Sequence, residues 1–138
     1  YAQTNQMQDL WNYGYEAISR ANAALAQVDQ IKDKATHDQT KGELLFMRAY
    51  TYYNLVLAFN NVPVIEKAPE TVAEAQTAPD QVEGKEIFKM IASDLKWAAD
   101  SMPSTPYDEW KTIQFGKVTR WAAEAMLARA LSCNTMET

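Results

Sequence analysis

Apolar residues recur every three or four positions at Met7, Leu10, Trp11, Tyr15, Ile18, Ala21, Leu25 and Val28, the spacing that lines one face of an α-helix. It predicts a first helix over about residues 4–30. A polar turn, KDKATHDQTKGE, follows, and Thr36 or Asp38 is placed to cap a second helix over residues 38–59, since an oxygen-bearing side chain there accepts from a first-turn N–H. That helix is apolar almost all the way round. Leu45, Ala49, Tyr52, Val56 and Phe59 make one stripe, and Phe46, Tyr50, Tyr53 and Leu57 make another, so neighbours are expected on several sides. It should stop at Asn60-Asn61, because Asn tolerates the left-handed C-cap and Pro63 cannot continue a helix.

The segment Val62–Val82 holds Pro63, Pro69 and Pro79 among small residues and reads as a long surface connection with a helical turn over Val72–Gln76. Ile87, Phe88, Ile91, Leu95, Ala98, Ala99 and Met102 mark a third helix over residues 83–102, ended by Pro103. After the loop PSTPYDEWKTIQFG, a fourth helix begins near Lys117, with Val118, Trp121, Ala122, Ala125, Met126 and Cys133 as its buried stripe. The predicted fold is all-α: four main helices in two helix-turn-helix units, joined by long loops. Tyr15 and Ile18 superpose on Phe88 and Ile91 at an offset of 73, and Met47-Arg48-Ala49 on Ala128-Arg129-Ala130 at 81. Within the first pair Tyr15 and Arg48 lie 33 apart, close to the ~34-residue period of tetratricopeptide units. Solenoids usually need about three units to bury a core. Residues 1–138 are therefore expected to form one helical-repeat block of a longer chain, with apolar surface left exposed or covered by another copy.

A net charge of -5 and the lack of a Lys/Arg run argue against nucleic acid, which needs clustered positive charge. The single cysteine, Cys133, can form no internal disulfide and is expected to be a small buried thiol. No stretch approaches the ~18 apolar residues of a membrane span. A start at Tyr1 without a basic-then-apolar leader gives the expectation that any targeting segment has been lost. Catalysis finds no support. Asp108 and Glu109 are adjacent, whereas hydrolytic carboxylates must face each other across a sugar. His37 sits in a polar turn without a nucleophile, and Gly84-Lys85 and Gly116-Lys117 lack the rest of a phosphate loop. No cofactor and no metal are expected.

Two candidate sites stand out. Arg48 lies between the two apolar stripes of the second helix, where an unpaired charge would cost several kcal/mol, on the order of a buried ion. A carboxylate partner is expected, either Asp94 or Glu16, in an ion pair that sets helix register; contact with a ligand is the lesser alternative. The loop after Pro103 gathers Tyr107, Trp110 and Phe115 among Asp108, Glu109 and Gln114. Aromatic rings stack on the C–H faces of sugars while carboxylates and amides bind hydroxyls, so Trp110, Tyr107 and Asp108 are the candidate ligand-binding residues. Loop aromatics also fold back to cover helix ends, which is the weightier of the two readings.

Four pieces in order, WNYGYEAISRANAAL, GELLFMRAYTYYNLVLAFNNVPVI, GKEIFKMIASDLKWAADSMP and GKVTRWAAEAMLARAL, resemble the SusD/RagB family of surface glycan-binding lipoproteins of Gram-negative bacteria. The resemblance covers most of the chain; Asn60, where the family usually has Gly, and Lys117, where Arg is common, depart from it. It implies a tetratricopeptide-like scaffold that docks on a SusC-like, TonB-dependent transporter at the cell outer membrane. It also implies oligo- or polysaccharide binding without catalysis, at a site built mainly outside this helical block. By the same resemblance the chain is the N-terminal helical part of a longer protein, without its lipidated cysteine. A helical-repeat adaptor that binds a protein partner and no sugar is the alternative.

Overall fold

The computed structural model describes residues 2–104 and 117–135. In chain order the elements are α1 (Ala2–Leu25), a 3-10 turn (Val28–Gln30), α2 (Lys34–Phe59), β1 (Val62–Pro63), α3 (Val72–Gln76), β2 (Gln81–Val82), α4 (Gly84–Ser101) and α5 (Arg120–Thr135). The architecture is all-α and tetratricopeptide-like. α2 carries α1 on one face and α4 on another, and α4 in turn carries α5, while α2 and α5 touch only lightly.

Helix ends depart from the periodicity where local hydrogen bonding takes over. α1 closes at Leu25 rather than near residue 30, because Gln27 N–H donates to the Ala24 carbonyl at 3.0 Å and Ile31 N–H to that of Val28 at 3.0 Å. Those three-residue spans tighten the chain into a 3-10 turn. α2 starts four residues earlier than expected, at Lys34, and its cap is Asp33 instead of Thr36 or Asp38. The Asp33 carboxylate accepts from Thr36 N–H at 2.9 Å and from the Thr36 hydroxyl at 2.6 Å, satisfying a first-turn donor that α2 itself cannot. α5 begins at Arg120 rather than Lys117, and Thr119 Oγ1 accepts from Ala122 N–H at 3.0 Å.

Asn60 ends α2 with φ 63° and ψ -73°, and Asn61 N–H donates to the Phe59 carbonyl at 2.8 Å. This is a γ-turn, a tighter and more strained reversal than the expected left-handed cap. It throws the chain into β1, which pairs antiparallel with β2 in the register Val62↔Val82 and Pro63↔Gln81. The two-residue ribbon was not legible in the sequence. It clips together the two ends of the long connection, whose only helix, α3, lies over Val72–Gln76 and is capped by Thr71.

The core runs through the α1–α2–α4–α5 stack, with Ile18, Ala49, Tyr52, Leu55, Ile87, Ile91 and Leu95 all at or near full burial. Each buried Leu or Ile stabilises the fold by about 1.5–3 kcal/mol relative to exposure. Close approach of α2 and α4 depends on Gly42, where an added Cβ would lie 2.2 Å from Met102 Cγ. Neighbours do lie on several sides of α2, and part of its apolar surface is left exposed, as expected of one block of a longer chain. Its first stripe is buried from Leu45 to Val56 and half-buried at Phe59, but the second divides: Tyr53 is buried, whereas Tyr50 is 48% and Leu57 60% exposed, and Met47 outside the stripes is 52% exposed. The light contact between α2 and α5 leaves this side open to solvent. Met7, Leu10 and Tyr13 on α1 and Trp121 and Leu131 on α5 are exposed apolar residues as well. Cys133 is half-buried rather than buried, its Sγ 3.4 Å from the Tyr53 hydroxyl. Among the described residues no helix is long and apolar enough to cross a membrane.

Candidate functional site

Arg48 is the centre of a polar knot set inside this apolar stack. α2 places it on the side facing α1 and α4, and Asp94 reaches it from the middle of α4. Arg48 Nε donates to Asp94 Oδ2 and Nη2 to Asp94 Oδ1, both at 2.8 Å, the parallel two-bond geometry that suits guanidinium and carboxylate. Only 11% and 9% of the two side chains remain exposed. Asp94 is thus the residue opposite Arg48, and Glu16 pairs instead with Arg20 one turn along α1.

The remaining Arg48 donors reach two more elements. Nη1 donates to Asn22 Oδ1 at 3.0 Å on α1 and to the Glu66 carbonyl at 3.3 Å in the connection. Asn22 Nδ2 donates to the Ile65 carbonyl at 2.7 Å. Tyr52 accepts from Ile65 N–H at 2.8 Å and donates to the Ile65 carbonyl at 3.1 Å. Tyr15 closes the set by donating to the Pro63 carbonyl at 2.6 Å. Residues 63–66 therefore run as an irregular, half-buried to exposed strand in which the Pro63, Ile65 and Glu66 carbonyls and the Ile65 N–H are bonded by side chains of α1 and α2, partners that a neighbouring strand would otherwise supply.

The electrostatics follow from burial and pairing. Burial alone lowers the Arg48 pKa, but the hydrogen bonds and charge of Asp94 outweigh it and the guanidinium is held above its ordinary value. Burial pushes Asp94 up, against the downward pull of Arg48. The two shifts favour opposite states of the pair. The geometry decides for the ionised one, since both carboxylate oxygens accept at 2.8 Å. Burial likewise raises the phenols of Tyr15 and Tyr52, which stay protonated donors.

Two cavities flank the strand-like segment. One of about 500 Å³ is lined by Asn22, Leu25, Ala26, Glu66, Lys67 and Pro69 among others. The other, of about 380 Å³, lies between residues 64–69 and the α3 region, with Lys67, Glu74 and Thr77 on its walls. Neither has an aromatic wall. A third, of about 320 Å³, is lined by Met7, Gln8, Trp11 and Phe59, with the Trp11 and Phe59 rings edge to face at 5.1 Å. Tyr107, Trp110 and Asp108 lie outside the described residues. Sequence reasoning missed Asn22 and Tyr52 as members of the knot. Asn22 carried a signal, a polar residue inside the apolar stripe of α1; Tyr52 carried a weaker one, since a buried tyrosine hydroxyl needs a hydrogen-bond partner but its place in a stripe does not say which.

A family model described as starch-binding associating with outer membrane, SusD-like, matches residues 1–131. The chain belongs to the SusD-like family. Among SusD-like relatives, SusD-like protein P2 of Formosa agariphila is 30% identical over 98 residues, covering 70% of this chain and 19% of the relative. A SusD-like carbohydrate-binding protein of Bacteroides fragilis has a solved structure that superposes with a TM-score of 0.75 at 25% identity, over 89% of this chain and 23% of that one. A laminarin-binding SusD-like protein superposes with a TM-score of 0.76 at 28% identity, over 88% of this chain and 25% of that one. The chain spans about a fifth of the length of the curated relatives it matches, 19% and 22%.

Proposed function

We infer that residues 1–138 are the helical scaffold of a non-catalytic glycan-binding protein that works at the outer membrane with a SusC-like, TonB-dependent transporter. The observation that carries this reading is the SusD-like family match across nearly the whole chain. The similarity to a laminarin-binding protein and to a carbohydrate-binding one supports an oligo- or polysaccharide as ligand. The block acts as one unit of a longer SusD-like chain, and surface exposure through a lipid anchor follows from the same reading. Arg48 and Asp94 act as the structural pair of this scaffold, because every Arg48 donor that the knot uses is spent on the protein itself. Trp110, Tyr107 and Asp108 remain the proposed sugar contacts of the block.

The test is binding of the complete protein to an array of neutral polysaccharides, laminarin and starch included, together with co-purification of a TonB-dependent transporter from outer membranes. Glycan retention without turnover of the glycan, and transporter recovery, are the expected results. Retention of a protein partner with no glycan bound would instead favour an adaptor. Loss of sugar binding on Trp110→Ala, with the fold intact, supports the loop contact; unchanged binding removes it.

A further inference from the structure

Apart from the knot, a cluster of titratable groups bridges two elements at the turn between α1 and α2. His37, in the first turns of α2, places Nδ1 2.8 Å from Asp38 Oδ1 and Nε2 2.9 Å from Asp29 Oδ1 in the 3-10 turn. Ionised carboxylate oxygens only accept, so each of these contacts requires an N–H on the ring, and a neutral imidazole has one. The complete bridge exists only for the imidazolium.

We propose that His37 is a pH-operated latch that fastens the α1–α2 turn when protonated and releases Asp29 when it loses its proton. The charges that act on the ring are Asp29 from the turn and Asp38 from α2. Lys34 and Lys41, both on α2, act in turn on Asp38 and Asp29 respectively. The two arms differ. Asp38 keeps only 11% of its side chain exposed and is also bonded by Lys34, whereas Asp29 is 85% exposed and is readily hydrated. The single proton of neutral His37 therefore stays on Nδ1 with Asp38, and the Nε2 arm opens. Hydrogen bonding to Asp29 and then to Asp38 raises the His37 pKa above its ordinary value, which places the release on the alkaline side of an ordinary histidine. The loosening is local. Asn22 still pins α1 to the Ile65 carbonyl, so the segment set free is residues 26–33.

The sequence contains one histidine, so ring-nitrogen NMR of histidine-labelled protein reports on the latch directly. The expected record is a midpoint above about 6.5, an Nδ1–H tautomer beyond it, and amide exchange at residues 26–33 that accelerates through the same midpoint after correction for intrinsic rates. Asp29→Asn, a change at an exposed position, should lower the midpoint and leave the fold unchanged. A midpoint at or below the ordinary value, an Nε2–H tautomer at high pH, or corrected exchange that ignores the midpoint would each overturn the latch.

Discussion

Tyr52 and Ile65 exchange two hydrogen bonds: the Ile65 N–H donates to the tyrosine hydroxyl at 2.8 Å, and that hydroxyl donates to the Ile65 carbonyl at 3.1 Å. A side chain of α2 thus takes the place that a neighbouring strand would have in a sheet. Replacing Tyr52 by Phe removes both bonds and leaves a part-buried backbone N–H without its partner. The expected loss is about 1–3 kcal/mol, measured by urea denaturation. Tyr15→Phe should cost less, because Tyr15 is only half-buried and the change removes one hydrogen bond instead of two. Equal losses would mean that the Ile65 pairing carries no special weight.

Arg48 and Asp94 present a sharper contrast between breaking a pair and replacing it. Arg48→Met leaves the Asp94 carboxylate buried alone and should lose about 3–5 kcal/mol. The double variant Arg48→Met with Asp94→Leu removes both charges and should recover most of that loss, since well-packed apolar groups often replace a buried pair without penalty. A double-mutant cycle by thermal denaturation checks it. Additive losses would refute a direct coupling.

Gly42→Ala sets two effects against each other. Alanine in a helix interior gains about 1 kcal/mol over glycine, but the new Cβ would lie 2.2 Å from Met102 Cγ, an overpacking that typically costs about 1–3 kcal/mol. Net destabilisation is expected, and Gly42→Ala with Met102→Ala should fall in stability by less than the sum of the two single changes. Melting temperatures of the four proteins decide the matter.

Asn60 holds a positive φ of 63°. Asn60→Val is expected to lose about 1–2 kcal/mol, the cost of the left-handed side of φ for a residue with a branched Cβ. Asn60→Gly should stay close to the parent, with relief of strain offset by about 0.5–1 kcal/mol of chain entropy. Chemical denaturation of both variants measures the difference.

The α1–α2 turn should be most stable in a middle window of pH. A side-chain hydrogen bond lowers the pKa of each of Asp29, Asp33 and Asp38, donated by His37, Thr36 and Lys34 respectively. A lowered carboxyl contributes stability above its unfolded pKa and loses it as pH falls through the folded one. His37 is raised, so its contribution is full below its unfolded pKa and is lost as pH rises through the folded one. The window lies between roughly pH 4 and 6.5. In melting temperature against pH, Asp33→Ala should lower the plateau and lessen the acid-side fall, while His37→Asn should flatten the alkaline side. A His37→Asn curve parallel to the parent throughout would contradict the sign.

The helical content, the turn at Val72–Gln76 and the fold class were legible in the chain because they rest on apolar spacing and on proline, which act within a few residues. Arg48 announced itself as a buried charge, since no helix face was wet enough to solvate it. What escaped were features made by distant residues. The choice of Asp94 over Glu16 depends on which helix lies across α2. The ribbon of Val62 and Val82 depends on a γ-turn at Asn60, and the division of the second α2 stripe depends on how lightly α5 touches α2. Asp33, rather than Thr36 or Asp38, caps α2 because the 3-10 turn ends at Gln30 and lets the helix begin at Lys34.

The sequence by itself determined the α-helical repeat, the position of the internal charge and, through its ordered motifs, membership of the SusD-like family. Only the tertiary structure decided which groups meet that charge and how residues 63–66 are held without a sheet. The physical reason is range: periodicity and capping act over one or two turns of chain, whereas hydrogen bonds between Asn22, Arg48, Ile65 and Asp94 exist only after the helices have packed.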